Sequence, residues 1–328
     1  MLQFEKTFMD FLLEHQERHG RSYHFLILMN SIMNAGKRIQ FYNSTGALRG
    51  DLGLEGTVNI QGEDVLHMDM IANELVKHNL ARSGRVIHAV GEEEDDIIRM
   101  NEESGRYFVY YDPMDGSSNV PHSLPIGFMF GVAKRDTDGQ EDMHLRAGRE
   151  FIAAGMFVIP TGTFTIALHG AGCWRFHIDE TFNYVKPTQI FLPESRRTWE
   201  LSFNSANRRT FSLPVQSWIA ENEGKFSFRY MGALAGDFHR LLNNGGLFLY
   251  PAIVNHSDPK KNRPQGKLRL LYEAAVVASM AQEAGGTAID ENGTPILDII
   301  PEQPHQRTTL FVGSKPLVED IAKALKVR

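Results

Sequence analysis

Tyr110-Tyr111-Asp112-Pro113-Met114-Asp115-Gly116-Ser117-Ser118-Asn119 continues a run from Tyr107 whose aromatic and β-branched residues predict a strand over Tyr107–Tyr111. The apolar run ends abruptly in two carboxylates three residues apart, followed by a Gly-Ser-Ser run that leads into a turn. Each part has a physical use. Oxygen-only donors select hard divalent ions such as Mg²⁺. A proline between the acids stiffens the bend, so that both can face one ion pair. Glycine followed by two hydroxyls lets backbone N–H groups approach a phosphate closely. Ions beside a phosphate cradle are the arrangement that in-line hydrolysis needs. An acidic β-turn with Asx capping is the bland reading of the same string, so the surrounding chain has to decide.

Upstream, Val86–Val90 reads as a buried strand that stops at Gly91 and is followed by Glu92, Glu93, Glu94, Asp95 and Asp96. Five acids in a row are usually a solvated face. Here they follow a strand and precede a second acidic strand end by about twenty residues, and α/β proteins tend to place sites at strand ends. That many acids packed together repel by several kcal/mol unless cations are present. Further upstream, Phe4, Phe8, Phe11 and Leu12, then Phe25, Leu28, Met29 and Ile32, recur at helical spacing. A Gly-rich break covers 42–56, and Val65–Leu80 returns to helix with Glu63 and Asp69 near its start. Downstream, Ile126–Ala133 and Thr163–Leu168 read as strands of a meander. Asp237–Leu242 and Leu270–Ala284 read as helices, the latter stopped by Gly285-Gly286. Thr309–Gly313 reads as a strand and Leu317–Leu325 as a closing helix. The fold class is α/β. In Gly266-Lys-Leu-Arg-Leu-Leu-Tyr-Glu273, Lys267 and Arg269 precede the helical spacing and Glu273 lies inside it. Surface charge and site residue are equal readings of these cations, as they are of Arg229-Tyr230 and Arg307.

At 328 residues the chain exceeds the usual reach of one core, and two halves are expected, 1–190 with the acidic and Gly-Ser-Ser motifs and 191–328. A formal charge of −6 without Lys/Arg blocks argues against nucleic acid and anionic membranes as partners. A single cysteine, Cys173, cannot form an internal disulfide, which suits a reducing compartment, and a cytoplasmic protein is expected. The charged N-terminal stretch does not read as a signal peptide, and no run reaches about 18 apolar residues.

In this order, the segments resemble the class I fructose-1,6-bisphosphatase family over nearly the whole chain. Tyr110–Asn119 is similar to the family's D-P-[LM]-D-G-S-S-N signature, and RYMGALAGDFHRLLNNGGLFLYPA, from Arg229, to its sugar-binding stretch. GKLRLLYEAA, EAGG and HQR are similar to its C-terminal core. The D-P-x-D-G pattern alone would fit the wider lithium-sensitive phosphatase superfamily, inositol monophosphatases included. The resemblance implies a layered α/β/α/β sugar-phosphatase fold, a homotetramer, and Mg²⁺-dependent release of the 1-phosphate of fructose 1,6-bisphosphate in gluconeogenesis. It implies two or three Mg²⁺ per subunit, replaceable by Mn²⁺, on Glu92, Glu93, Asp112, Asp115, Glu273 and the Met114 carbonyl. Asp69 would pair with Glu93 to orient and deprotonate the attacking water. Glu63 stands where the family has an Asp in a loop that closes over the metals, and it is one methylene longer. Asp115, Gly116, Ser117 and Ser118 would hold the phosphate being cleaved. Asn204, Tyr230, Tyr250 and Lys267 would grip the sugar and its 6-phosphate, with Arg229 reaching in from a neighbouring subunit.

The chain also departs from the family pattern. Asn207 stands where a Tyr on the 6-phosphate is common, and the loop between Tyr250 and Lys267 is longer than usual. Arg21-Ser22-Tyr23-His24-Phe25-Leu26 replaces the Gly/Thr-rich stretch of AMP-inhibited members, while Arg106, Tyr107 and Lys134 sit where the rest of that effector site would be. Two rival readings follow: a sedoheptulose-1,7-bisphosphatase or dual-specificity enzyme, and, more remotely, an inactive sugar-phosphate-binding regulator.

Overall fold

The computed structural model describes residues 5–19, 22–49, 54–58, 64–135 and 145–326, and its layers follow from strands that are apolar on both faces. In the strand Ile126–Lys134, the side chains of Ile126, Phe128, Phe130 and Val132 enter one core, and Met129 and Ala133 enter another. Its neighbour Tyr107–Asp115 divides likewise, Tyr107, Val109 and Tyr111 one way and Phe108 and Tyr110 the other. Such strands need cover on both sides. Helices α1 (Phe8–His19), α2 (Tyr23–Arg49) and α3 (His67–Ser83) share the first core. Among the described residues, four more α-helices follow, α4 (Leu213–Asn222), α5 (Leu234–Asn244), α6 (Ala275–Glu283) and α7 (Lys315–Lys326). The second core holds α5 and α6, and its far wall is a second sheet whose strand Gly246–Tyr250 sends Phe248 inward. Leu247 and Leu249 of that strand point the other way, onto α4 and α7. The expected α/β/α/β layering is therefore present, closed by a further helical layer.

The larger sheet runs Tyr184–Ile190, Gly172–Ile178, Thr163–Leu168, Phe151–Ile159, Ile126–Lys134, Tyr107–Asp115, Val86–Gly91, Ile98–Arg99. It is the expected antiparallel meander, with one parallel pair where Val86–Gly91 meets Tyr107–Asp115. In the second sheet, Phe226–Phe228, Trp199–Ser202 and Gly246–Tyr250 are mutually parallel, so their C-terminal ends share one edge.

Three expectations need correction. The break placed at 42–56 begins too early, because α2 continues to Arg49. The strand from Tyr107 does not stop at Tyr111 but stays extended to Asp115, its register shifting between Asp112 and Asp115. Pro113 has no N–H to give, and an irregular ladder at that point tolerates it. The segment from Leu270 opens with a π-helical turn, Leu270–Ala274, before α6 begins. Among the described residues no helix is long and apolar enough to cross a membrane.

The two halves meet through backbone with little slack. A Cβ on Gly127 would lie 2.2 Å from the Cβ of Ala235, and one on Gly116 (φ 75°) would lie 2.3 Å from that of Ala233. The start of α5 thus rests directly on strand ends of the first sheet. Overpacking there has no flexible side chain to absorb it, so Gly127→Val should lower unfolding free energy by about 1–3 kcal/mol, read by thermal or urea denaturation. An unchanged midpoint would contradict this tight contact.

Candidate active site

Because Val86–Gly91 and Tyr107–Asp115 run parallel, their acidic ends emerge at one edge, and the Glu92 N–H donates to the Tyr111 carbonyl at 3.1 Å. Asp112, Asp115 and Glu273 are all buried, with carboxylate oxygens within 4.8 Å of one another. Glu273 reaches them from the π-helical turn, a local widening that often accompanies functional positions. Each acid has a donor beside it. The Met114 N–H donates to Asp112 at 2.8 Å, and the Ala235 N–H, at the start of α5, donates to Asp115 at 2.7 Å. The Arg269 N–H donates to Glu273 at 2.5 Å. The guanidinium of Arg269, itself 4% exposed, bonds Glu92 and lies 3.7 Å from Glu273. Arg269 is one of the cations, with Lys267, Arg229 and Arg307, that sequence reasoning left undecided. Its signal was the four-residue spacing to Glu273 across a helix start.

Burial pushes the Asp112 carboxyl well above the carboxylate range, and the negative Glu92, Asp115 and Glu273 push it further. Burial raises Asp115 to about 7 against the Ala235 and Leu234 N–H groups, which favour its charge. Burial likewise raises Glu273 to about 8, against the attraction of Arg269. Asp237, on α5, is raised by burial to about 6, with the Ser202 hydroxyl at 2.7 Å and the Met231 N–H at 3.0 Å opposing. One guanidinium facing this many carboxylates leaves negative charge uncompensated. The donors are all hard oxygens, so the residues present fit divalent cations such as Mg²⁺.

The rest of the acidic run divides. Glu94 turns away, accepting from Asn73 at 2.6 Å and pairing with Lys77 at 2.8 Å, while the Tyr111 hydroxyl donates to Asn73 at 2.8 Å. It ties the 92–96 turn to α3. Asp95 and Asp96 are exposed and Glu93 is half-buried. Asp69 is buried in the first turn of α3, and Met114 is buried beside the acids. Glu63 lies outside the described residues. Gly116, in the left-handed region, caps a short 3₁₀ turn, Ser117–His122, on which Ser117 is half-buried and Ser118 exposed.

Of the residues expected at the sugar, Asn204 follows the strand Trp199–Ser202, Arg229 and Tyr230 follow Phe226–Phe228, and Tyr250 ends its own strand. The parallel topology delivers them to one edge, the usual place for ligands in α/β sheets. Partial burial pushes the Tyr230 hydroxyl up, with Tyr250, Asp237 and Asp115 adding to the effect, while the residue as a whole is 41% exposed. Lys267 is exposed immediately before the strand residues Leu268–Arg269. Arg106, Tyr107 and Lys134 lie elsewhere. Tyr107 pairs across strands with Lys134 at the opposite end of the strand that carries Asp115, and its hydroxyl is 2.9 Å from that of Ser22, just before α2.

Layered α/β architecture with a buried carboxylate cluster at the joined strand ends defines a phosphoric monoester hydrolase of the sugar-phosphatase type. Residues 6–186 match the family described as fructose-1-6-bisphosphatase, N-terminal domain, and 193–326 match its C-terminal domain. The chain is 64% identical over 329 residues to the class 1 fructose-1,6-bisphosphatase of Syntrophus aciditrophicus, covering 99% of both. It is 38% identical over 307 residues to that of Trichormus variabilis, covering 90% of this chain and 84% of the relative. Fructose-1,6-bisphosphatase of Leishmania major in its holo form superposes with a TM-score of 0.89 at 28% identity, covering 99% of this chain and 100% of the other. The chain belongs to the class I fructose-1,6-bisphosphatase family.

With Asp115 raised to about 7 and Glu273 to about 8, the folded chain holds more protons than the unfolded one above the normal carboxylate range. Without divalent cations, stability should therefore fall as pH rises from about 5 to about 8 and level off beyond. Thermal midpoints in EDTA should drop across that window, and Mg²⁺ should raise the midpoint more at the alkaline end. A flat profile, or a larger Mg²⁺ effect at the acid end, would contradict the crowding.

Proposed function

We propose that the chain hydrolyses the 1-phosphate of fructose 1,6-bisphosphate to fructose 6-phosphate and phosphate, in a divalent-metal-dependent step of gluconeogenesis. The observation that carries this is the buried trio Asp112, Asp115 and Glu273 beside the strand edge that ends in Asn204, Tyr230 and Tyr250.

Glu92, Glu93, Asp112, Asp115, Glu273 and the Met114 carbonyl would hold two or three Mg²⁺, or Mn²⁺ in their place. Bound there, the ions supply a charge clamp for the phosphoryl oxygens and a more acidic water. Asp69 and Glu93, aided by Glu63, orient the attacking water and take its proton. The Gly116–Ser118 backbone and the hydroxyls of Ser117 and Ser118 hold the phosphate. Asn204, Tyr230, Tyr250 and Lys267 fix the sugar and its 6-phosphate. Arg229 is exposed, which suits a role in a neighbouring subunit's site within a homotetramer. The buried Cys173 thiol, pushed up to about 12 by burial, is unreactive and fits a reducing cytoplasm. The division at 190/191 separates the metal-carrying sheet from the sugar-carrying one.

A seven-carbon substrate is the second reading, because the long loop is built onto the sugar-side turn. The Val254 and Asn255 N–H groups both reach the Thr210 carbonyl, at 2.9 and 3.2 Å, in the turn that Asn204 opens and that contains Asn207. At the effector end, the Ser22–Tyr107 contact occupies the start of α2, and we infer that AMP does not inhibit.

Phosphate release from fructose 1,6-bisphosphate should require Mg²⁺, be unaffected by AMP, and exceed that from sedoheptulose 1,7-bisphosphate. Asp115→Asn should lower kcat by at least roughly 10²-fold, the usual scale for losing a group that stabilises developing charge. Preference for the seven-carbon substrate would establish the second reading. Failure of the wild type on both would overturn the function.

A further inference from the structure

His305, in the His-Gln-Arg triplet, has no part in the scheme above, yet it stands between the two backbone segments that carry the site. Its Nδ1 lies 2.8 Å from the hydroxyl of Tyr272, and the two rings meet edge to face with centroids 6.0 Å apart. Tyr272 is fully buried on the π-helical turn, adjacent to Glu273. The backbones of Glu94 and Asp95 in the acidic turn favour the charged form of the imidazole, as does Glu92, while Arg269 opposes it. Its Nε2 is buried and closes no hydrogen bond. The tautomer follows from these neighbours. If the Tyr272 hydroxyl donates to Nδ1, the neutral ring carries its proton on Nε2, the atom that meets carbonyl acceptors rather than donors. Burial disfavours the charged ring, consistent with that neutral tautomer. An unpaired buried N–H is costly, and the nearby carbonyls offer it a partner.

We propose that His305 is a positioning residue for the metal site, its Nε2–H closing onto the Glu94–Asp95 backbone to hold Glu92 and Glu93 over the carboxylate trio. The turn is already tied to α3 by Glu94 through Asn73 and Lys77 and to Arg269 through Glu92. His305 adds a tie to its backbone and links the turn through Tyr272 to the segment bearing Glu273. Partners outside the ligand shell commonly change metal affinity by 10–100-fold. The proposal rests on Glu92 and Glu93 being metal ligands.

The test is direct binding of Mn²⁺, followed by its electron paramagnetic resonance signal, alongside Mg²⁺ activation of phosphate release. His305→Leu should weaken Mn²⁺ binding and raise the half-saturating Mg²⁺ by about 10-fold, with kcat at saturating metal within about twofold of wild type. His305→Gln, whose amide N–H can reach the place of Nε2–H, should bind within about threefold of wild type. Tyr272→Phe, which removes the group that sets the tautomer, should fall between the two and serves in place of the leucine variant if that one fails to fold. Unchanged Mn²⁺ binding in His305→Leu or in Tyr272→Phe would overturn the proposal. So would a glutamine variant as impaired as the leucine one, or a loss of kcat without loss of metal affinity. A wild type that binds Mn²⁺ but releases no phosphate would overturn the function and leave these binding comparisons standing.

Discussion

Bringing carboxylate oxygens within 4.8 Å of one another in a buried place is the constraint to which the rest of the molecule answers. At an effective dielectric of about 20, each such ionised pair costs on the order of 3 kcal/mol. Neighbouring elements reduce the repulsion without removing it. The start of α5 directs an N–H at Asp115, the strand just after Asp112 directs the Met114 N–H back at it, and Arg269 spans Glu92 and Glu273. The charge that remains is what a divalent cation would neutralise, and the same crowding makes the cluster costly for a protein with no use for cations.

That cluster also explains why the two halves meet so closely. Asp112 and Asp115 come from the first sheet and Glu273 from the segment that packs between the sheets, so the acids converge only if that interface is rigid. Gly127 and Gly116 allow α5 to rest on the strand ends, where a β-carbon would collide. Asn119 adds a further tie, donating to the carbonyls of Pro125 and Met231. Asn204, Tyr230 and Tyr250 share one edge of the second sheet because three parallel strands all end there. Geometry of this kind is set by backbone rather than by long flexible side chains, which suits a site that must hold charges in place.

Much of this was legible in the residues, for stated reasons. Both acidic strand ends could be read because an apolar strand that stops at a carboxylate is an abrupt change of period and polarity. The two opening helices followed from spacing alone, as did the meander strands at Ile126 and Thr163, whereas Phe151–Ile159, Gly172–Ile178 and Tyr184–Ile190 were not read. The role of Arg269 was left open, since a cation before a helix looks the same whether it faces water or a buried acid, and only its four-residue spacing to Glu273 pointed to the acid. Glu94 resembled its neighbours in a run of five acids, and only the packing of α3 separates a structural tie from a ligand. The extension of the strand through Pro113 was hidden because proline argues against a regular ladder, and the register shift that accommodates it is a tertiary feature.

The most direct test of the central claim, that crowded acids at the sheet junction form a divalent-cation site, is an anomalous difference map from crystals grown with Mn²⁺. The account predicts density bounded by Asp112, Asp115 and Glu273, with Arg269 displaced from at least one of its carboxylate partners. A map with no peak there, and with Arg269 still bridging Glu92 and Glu273, would contradict it.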